Sequence, residues 1–260
     1  LSGLHDRKPR EVDVDRVATV RYFIIPFSEW EKTLNQLFTM INNHIEAVVF
    51  DFDGTLAKLN IDFPFMRRAV LDLTASYSVS LDGLSNLFVL EMIEAGRDLI
   101  SGNSPGSEAD YVEKANRLIK DIEIKAAKNG ELVDGIRQML DDLTARNIKA
   151  GVVTRNCREA VRKIFPDIDS FCGAVVTREF TGNVKPHPAH LRIALGTLGT
   201  APEYSVMVGD HAMDISMGKK VGTHTIGVLT GYSEADVLRE AGADFIIESA
   251  SEIIDCLPID

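Results

Sequence analysis

Short apolar runs that favour β-strands alternate with helical patterns from Leu132 onward, and this alternation constrains the fold more than any other feature. We predict strands at 149–153, 174–176, 206–208, 225–228 and 245–247. Helical spacing is found between them, at 160–165, 189–198, 215–221 and 233–241. Buried β-branched runs joined by helices are typical of a parallel sheet that is covered on both faces. The sequence therefore predicts a doubly wound α/β fold, in which ligands bind beyond the carboxyl ends of the strands.

One further predicted strand, at 47–50, runs directly into two acidic residues. Asp51-Phe52-Asp53-Gly54-Thr55 follows this apolar run without a break. Because alternate residues of an extended chain point the same way, Asp51 and Asp53 can face one ligand. An ordinary strand followed by an Asp-Gly turn would give the same letters. The motif alone leaves both interpretations open.

Residues 57–130 carry helical spacing and no strand pattern of comparable strength. Phe65, Ala69 and Leu73 share one helical face, 84–91 indicates a second helix, 101–106 a loop and 108–128 a third helix. Before the first strand, Ser28 and Glu31 form a capping-box pattern that opens an amphipathic helix at 28–42. We therefore expect an N-terminal extension at 1–45, a core made of 46–56 and 131–260, and a helical insertion at 57–130.

Composition excludes several classes of partner. The 260 residues carry a net charge of −11, whereas nucleic-acid binding needs a basic face. No apolar run approaches the ~18 residues of a membrane span, and 1–15 lacks a signal-peptide core. The three cysteines show the spacing of neither a disulfide framework nor a zinc site. We expect no nucleic-acid partner, no membrane contact and a cytoplasmic location, while the oligomeric state stays open.

Polar side chains recur where the predicted strands end. The groups are Asp51 and Asp53 after the first strand, Thr154, Arg155 and Asn156 after 149–153, Lys185 in a loop stiffened by Pro186 and Pro188, and Asp210 and Asp214 after 206–208. Chance supplies one polar residue after a strand easily, but it supplies this combination of acids, a hydroxyl and an ammonium poorly. We therefore expect these side chains to form one site.

These segments, taken in order, resemble the four motifs of the haloacid dehalogenase (HAD) superfamily. The matching residues are Asp51-Phe52-Asp53-Gly54-Thr55, Thr154, Lys185, and Gly209-Asp210 with Asp214. The resemblance covers about 46–255, and the context of Lys185-Pro186 and of 209–222 is similar to the phosphoglycolate phosphatase and β-phosphoglucomutase branch. It implies a Rossmann-like parallel core in which 57–130 is a helical cap. Residues 1–43 have no counterpart in it.

The resemblance also implies a catalytic role for each residue. Asp51 is the expected nucleophile, which forms an aspartyl-phosphate. Asp53 is expected to protonate the leaving alcohol and then to take a proton from the attacking water. Thr154 and Lys185 are expected to bind the phosphoryl oxygens. Arg155 either adds a phosphate contact or forms a surface salt bridge, and the family more often has a smaller polar residue there. Both interpretations stay open for Arg155.

The resemblance further implies a Mg²⁺ cofactor. The expected ligands are Asp51, the backbone carbonyl of Asp53, and Asp210, because a hard cation prefers oxygen. Asp214 is expected to hold Lys185 or a metal-bound water in place.

Other conspicuous residues receive structural interpretations. For His187, His190, His211 and His224, loop or surface roles are favoured over zinc binding. For the Cys157 thiol, a packing role is favoured. For Lys58, Arg67 and Arg68, solvated positions are favoured over contact with an anionic part of the substrate.

A carboxylate at Asp53 favours phosphoryl transfer, because the dehalogenase branch of the resembled family lacks one there. The expected function is a Mg²⁺-dependent phosphatase that hydrolyses a small phosphate monoester, such as phosphoglycolate or a sugar phosphate. The expected partner is accordingly a small phosphorylated metabolite. Two alternatives remain: a sugar-phosphate mutase and a non-catalytic binding module. The substrate itself cannot be read from 57–130.

Overall fold

The computed structural model of the protein describes residues 44–257. Its strands are β1 (Ala47–Phe50), β2 (Ala57–Lys58), β3 (Glu131–Leu132), β4 (Lys149–Val153), β5 (Ala174–Val176), β6 (Ser205–Gly209), β7 (His224–Val228) and β8 (Phe245–Ile247). Its helices are α1 (Phe63–Ala75), α2 (Val89–Asn103), α3 (Glu108–Ala126), α4 (Ile136–Ala145), α5 (Arg158–Ile164), α6 (Pro188–Leu198), α7 (Ala212–Val221), α8 (Ala235–Glu240) and α9 (Ile253–Cys256). The strands predicted at 47–50, 149–153, 174–176 and 245–247 are confirmed to the residue, and the other two gain one residue at one or both ends.

Six of the strands in the described range form one parallel sheet with the order β5-β4-β1-β6-β7-β8. Among the described residues, β1 lies in the middle of the sheet, β4 and β5 follow on one side of it, and β6, β7 and β8 lie on the other. The carboxyl ends of β4, β1 and β6 are therefore neighbours at the point where the strand order reverses. This arrangement confirms the predicted doubly wound α/β fold, and it is where such sheets bind ligands.

Both faces of the sheet are covered, and alternate residues of β1 enter opposite layers. Val48 and Phe50 pack into the larger apolar cluster, together with Leu140 of α4. Ala47 and Val49 pack into a second cluster, which contains Leu191, Leu195 and Met217 of α6 and α7. A strand that is buried on both faces must be apolar throughout, so the first polar residue, Asp51, marks the end of the sheet interior.

The three helices α1, α2 and α3 pack against one another between β2 and β3. These two short strands pair in antiparallel register, Ala57 with Leu132 and Lys58 with Glu131. Buried Tyr111 of α3 lies inside the bundle with its hydroxyl 2.8 Å from that of Thr74. The insertion thus leaves the core and returns to it through two paired strands, which we call the stem.

The structure corrects three details within the insertion. The buried face of α1 is formed by Met66, Val70 and Thr74, not by the predicted Phe65 face, and Phe65 is 49% exposed. Residues Leu84–Asn86 form a separate 3₁₀ turn, so that α2 begins only at Val89. The same helix continues to Asn103, into the loop predicted at 101–106.

Two expectations are not tested by these elements. The amphipathic helix predicted at 28–42 lies outside the described residues. The division into an extension, a core and a cap stays a prediction. Between residues 44 and 257, no helix combines the length and the apolar character needed to cross a lipid bilayer.

Candidate active site

The strand order brings the polar residues that follow β1, β4 and β6 to one edge of the sheet. Oxygen atoms of Asp51, Asp210 and Asp214 lie within 4.8 Å of one another, and all three residues are buried. Lys185 enters the same cluster from the loop between β5 and α6, with its Nζ 2.6 Å from Asp51 Oδ1 and 2.8 Å from Asp214 Oδ1. Four residues from three separate segments therefore share one small polar volume.

Lys185 is the positive centre of this cluster. Its side chain is 4% exposed, so the ammonium is almost completely removed from water. Burial alone would lower the pKa of Lys185, but the carboxylates of Asp214 and Asp51 outweigh that effect and raise it above its usual value. The lysine therefore stays charged at neutral pH.

Asp51 is held from two sides. Lys185 Nζ and the backbone N–H of Phe52 both contact its Oδ1, and each lies at 2.6 Å. Both contacts end on the same oxygen, Oδ1. Among residues 44–257, no side chain or backbone group donates to the second oxygen, Oδ2. Asp51 is thereby fixed in orientation while one oxygen remains available to a ligand.

Asp210 lies in a cradle built by two glycines. A Cβ added to Gly54, whose φ is +89°, would stand 2.4 Å from Asp210 Oδ2, and one added to Gly231 would stand 2.0 Å from it. The backbone N–H of Tyr232 donates to Oδ2 at 2.7 Å, and the Thr55 hydroxyl donates to Oδ1 at 3.3 Å. Only residues without a side chain allow this approach.

Burial and the nearby charge of Asp51 raise the pKa of Asp210, and burial likewise raises that of Asp214. Crowded, buried carboxylates of this kind are stabilised as anions by a cation among them. A donor set made only of oxygen fits Mg²⁺, which binds proteins through carboxylates and leaves room for substrate phosphate. The residues present therefore suit the metal that the sequence predicts.

Asp53 points toward the stem. Its Oδ1 accepts a hydrogen bond of 2.8 Å from the backbone N–H of Leu59, just beyond β2. Burial, together with the charge of Asp51, raises the pKa of Asp53 to about 6. A carboxyl group with such a pKa exchanges a proton readily near neutral pH.

Thr154 is completely buried at the end of β4. Its hydroxyl donates to Asn156 Oδ1 at 2.7 Å and accepts from the backbone N–H of the same residue at 3.1 Å. To donate to a phosphoryl oxygen, this hydroxyl has to exchange its bond to Asn156.

Arg155 forms a salt bridge, which was one of its two interpretations, but this pair is partly buried and not on the open surface. Its guanidinium donates to both carboxylate oxygens of Glu91 on α2, at 2.8 and 2.6 Å, and also to the Lys185 carbonyl oxygen at 2.6 Å. The phosphate contact predicted for Arg155 is not tested by this arrangement.

Several other side chains have structural roles. His190 is fully buried, which contradicts the loop or surface role expected for it: its Nδ1 accepts from the Lys185 N–H at 3.0 Å and its Nε2 lies 3.0 Å from the Val176 carbonyl. Cys157 caps α5, and burial raises the pKa of its thiol to about 12. Arg67 donates to the carbonyls of Leu87 and Ser85, which braces the turn before α2.

Sequence reasoning missed Gly231, Tyr232 and Glu91. Gly231 follows β7, the neighbour of β6, so the rule that drew attention to the other strand ends would have found it. Tyr232 stands edge-on to Phe63 at the start of α1, with ring centroids 5.5 Å apart. For Glu91 no local signal exists, because its role depends on how α2 lies against the core.

Comparisons with known proteins agree with this geometry. The family model of the haloacid dehalogenase-like hydrolases matches residues 48–228. A haloacid dehalogenase-like hydrolase domain-containing protein of Arabidopsis thaliana is 30% identical over 229 residues, which is 86% of this chain and 89% of that protein. The pyrophosphatase PpaX of Bacillus velezensis is 30% identical over 226 residues, 83% of this chain and 97% of its own.

A solved structure supports the fold independently. The crystal structure of a predicted phosphoglycolate phosphatase from Haemophilus somnus superposes with a TM-score of 0.56 at 19% identity, covering 81% of this chain and 96% of its own. The matched family segment contains Asp51, Asp53, Thr154, Lys185, Asp210 and Asp214. This chain belongs to the haloacid dehalogenase-like hydrolase family.

Proposed function

We propose that the protein is a Mg²⁺-dependent phosphatase that hydrolyses a small phosphate monoester through an aspartyl-phosphate. The observation that carries this proposal is the contact between Lys185 Nζ and Asp51 Oδ1 within the cluster that also holds Asp210 and Asp214. A carboxylate nucleophile attacking an anionic phosphate needs positive charge beside it, and the buried ammonium provides that charge. Family membership makes phosphoryl transfer the reaction class to test first.

In the first step, the Asp51 carboxylate forms a bond to phosphorus while the bond from phosphorus to the leaving oxygen breaks. Asp53, two residues further on, gives its proton to the leaving alcohol. In the second step it takes a proton from water, whose oxygen attacks phosphorus and releases Asp51 and inorganic phosphate. Splitting the displacement in two lets one nucleophile and one acid–base group perform the whole reaction.

Lys185 and Thr154 supply donors for the phosphoryl oxygens, on which charge spreads in the transition state. Lys185 is fixed by its two carboxylate partners, so little reorganisation is needed when charge develops. Thr154 joins by rotating its hydroxyl away from Asn156.

Asp51, Asp210 and the backbone carbonyl of Asp53 would hold Mg²⁺, and Asp214 is close enough to orient the group bound there. When bound, Mg²⁺ would offset the repulsion between these acids and an incoming phosphate dianion. The glycine cradle around Asp210 keeps this carboxylate in place beforehand.

We further propose that the insertion, residues 57–130, acts as a cap. Phe63, Phe88 and Glu91 reach from it to Tyr232, His211 and Arg155 around the site. A cap in that position selects the leaving group by size and charge. The printed names of the relatives suggest phosphoglycolate and pyrophosphate as the first compounds to test beside sugar phosphates.

The test is release of phosphate from an aryl phosphate and from a panel of these compounds, with and without Mg²⁺. Asp51→Asn should abolish release while the circular dichroism spectrum and the unfolding midpoint stay those of a folded protein. Asp141→Asn, at an exposed position on α4, is the matched control and should retain full activity. Turnover that persists in Asp51→Asn would remove the nucleophile from the mechanism.

Two further assays on the same purified protein distinguish a phosphatase from the two alternatives, a mutase and a binding module. A mutase would interconvert glucose 1-phosphate and glucose 6-phosphate when primed with a bisphosphate, with little net release of phosphate. A binding module would show neither reaction, yet would bind inorganic phosphate in a calorimeter.

A further inference from the structure

The N-terminal end of α2 is tied to the core through Arg155. The guanidinium forms a bidentate ion pair with Glu91, and the Arg155 Cζ atom lies 5.5 Å from the centre of the Phe88 ring. The same ring stands edge-on to His211 at 5.9 Å. Arg155 is mostly buried, with 18% of its side chain exposed, so this pair is shielded from solvent more than a surface pair. Two parallel hydrogen bonds to one carboxylate fix the plane of the guanidinium.

The fixed guanidinium holds the backbone of Lys185. Nη1 of Arg155, one of the two nitrogens that bind Glu91, donates to the Lys185 carbonyl oxygen at 2.6 Å. On the other side of the same residue, the Lys185 N–H donates to His190 Nδ1. The backbone of Lys185 is thus held at both ends, while its Nζ contacts Asp51 and Asp214. Hydrogen bonds on either side of the Lys185 residue therefore connect Glu91 on the insertion, through Arg155 and Lys185, to the proposed nucleophile Asp51.

We propose that Arg155 is a positioning residue that makes the placement of Lys185 depend on α2 being seated against the core. Glu91 orients the guanidinium, and the guanidinium orients the carbonyl of Lys185. When α2 moves away, the guanidinium loses the partner that fixes its plane, and Lys185 loses one of its two backbone restraints. The ammonium would then be in its working position only while the insertion covers the site. This inference rests on the proposed phosphatase function.

The charge of the pair favours this role over a direct phosphate contact. Glu91 neutralises the charge of Arg155. Burial of Glu91 would raise its pKa, but the hydrogen bonds and the charge of Arg155 outweigh that effect and lower the pKa below its usual value. An arginine that binds the phosphate itself would have to break two charge-assisted hydrogen bonds first.

Two substitutions test the path, each with steady-state kinetics on the best substrate from the panel. Glu91→Gln keeps an acceptor but not the ion pair, and Arg155→Lys keeps the charge but cannot reach Glu91 and the Lys185 carbonyl together. Both should lower kcat about tenfold and change KM less than about twofold, because Lys185 acts on the transition state. Glu94→Gln, exposed on the same helix, is the matched control and should leave both constants unchanged.

A charge exchange separates positioning from simple attachment of the insertion. The double variant Glu91→Arg, Arg155→Glu restores an ion pair across the boundary but places no donor beside the Lys185 carbonyl. It should leave kcat low. Recovery of kcat in the double variant would overturn the proposal, since attachment alone would then suffice. A raised KM with unchanged kcat in Arg155→Lys would also overturn it and would make Arg155 a phosphate ligand.

Amide hydrogen exchange of the segment 183–190, measured without substrate, gives a readout that does not depend on activity. Exchange should be faster in Glu91→Gln and Arg155→Lys than in the wild type and Glu94→Gln. Equal exchange in all four proteins would refute the link between α2 and Lys185. If the wild type releases phosphate from none of the compounds, the proposed function fails, and the exchange measurement still decides whether the link exists.

Discussion

Replacing Glu123 with alanine should destabilise the protein strongly, because this residue joins the insertion to the core through a buried ion pair. Glu123 lies near the end of α3, and both its oxygens contact Arg178 Nη1, with Oε2 at 2.6 Å. The same Oε2 accepts the backbone N–H of Cys157 at 2.8 Å. The two side chains are only 6% and 7% exposed.

The magnitude follows from what the substitution leaves behind. Arg178 would remain charged and buried, with the Arg155 carbonyl at 3.1 Å as a remaining partner. Removing one member of a buried pair typically costs ~3–5 kcal/mol, and an unpaired buried N–H costs ~1–3 kcal/mol. These contributions overlap, so we expect a loss of about 4 kcal/mol in the free energy of unfolding, a large share of the ~5–15 kcal/mol typical of a folded domain.

The assay is urea unfolding followed by circular dichroism, with Glu113→Ala as the control. Glu113 lies on the same helix and also pairs with an arginine, Arg117, but both side chains are 70% exposed. Loss of that pair should cost only about 0.3 kcal/mol. Glu123→Gln keeps an acceptor for the Cys157 N–H and should fall between the two. A cost below about 1 kcal/mol for Glu123→Ala would refute the argument, because the buried guanidinium would then need no partner.

Three further outcomes are expected. Burial, together with the charge of Lys185, lowers the pKa of His190 to about 4 from about 6.5. As the pH falls, His190 therefore takes up a proton in the unfolded chain before it does so in the folded protein. The free energy of unfolding should accordingly fall by about 2–3 kcal/mol as the pH drops from 6.5 to 4. His190→Asn should flatten that dependence in urea titrations at pH 7 and 4, and an unchanged slope would contradict the assignment. Gly231→Ala should raise the Mg²⁺ concentration for half-maximal activity about tenfold, because its Cβ would displace Asp210, whereas Gly182→Ala, which meets nothing within 4 Å, should not. Thr154→Val should remove both hydrogen bonds to Asn156 and lower kcat about tenfold or more with the fold intact, whereas unchanged kinetics would exclude the hydroxyl from catalysis.

The sheet could be predicted from sequence because its strands are buried on both faces. Such strands are short runs of β-branched and apolar residues, and helices with a clear apolar stripe separate them. The acids at the strand ends could be predicted for the same reason, since the first polar residue after a buried run must lie at the edge of the sheet.

The buried face of α1 could not be predicted by counting apolar residues, because that face includes Thr74. Its hydroxyl donates to the Val70 carbonyl and contacts the Tyr111 hydroxyl, so a polar side chain is buried at no loss of hydrogen bonds. Phe65, which belongs to the apolar face noted in the sequence, is exposed. The identity of a buried face depends on the partner helix, which local spacing does not contain.

The role of Glu91 was out of reach for a related reason. The sequence gives Arg155 two possible partners, and the choice between them depends on where α2 places Glu91, which lies 64 residues before Arg155. The cradle around Asp210 is different: Gly231 lies three residues beyond the last residue of β7, at a strand end of the kind that the sequence already indicates, and the strand order that places β7 beside β6 explains its contact with Asp210.

The stem has a consequence for how this architecture diversifies. Paired residues of adjacent antiparallel strands lie only about 5 Å apart, so the chain departs from the core and rejoins it at nearly the same point. A segment of any length can be inserted between those two points without a change in the order or the register of the sheet. The helices between the two strands can therefore change in number and length without altering the strand ends that carry Asp51, Thr154 and Asp210.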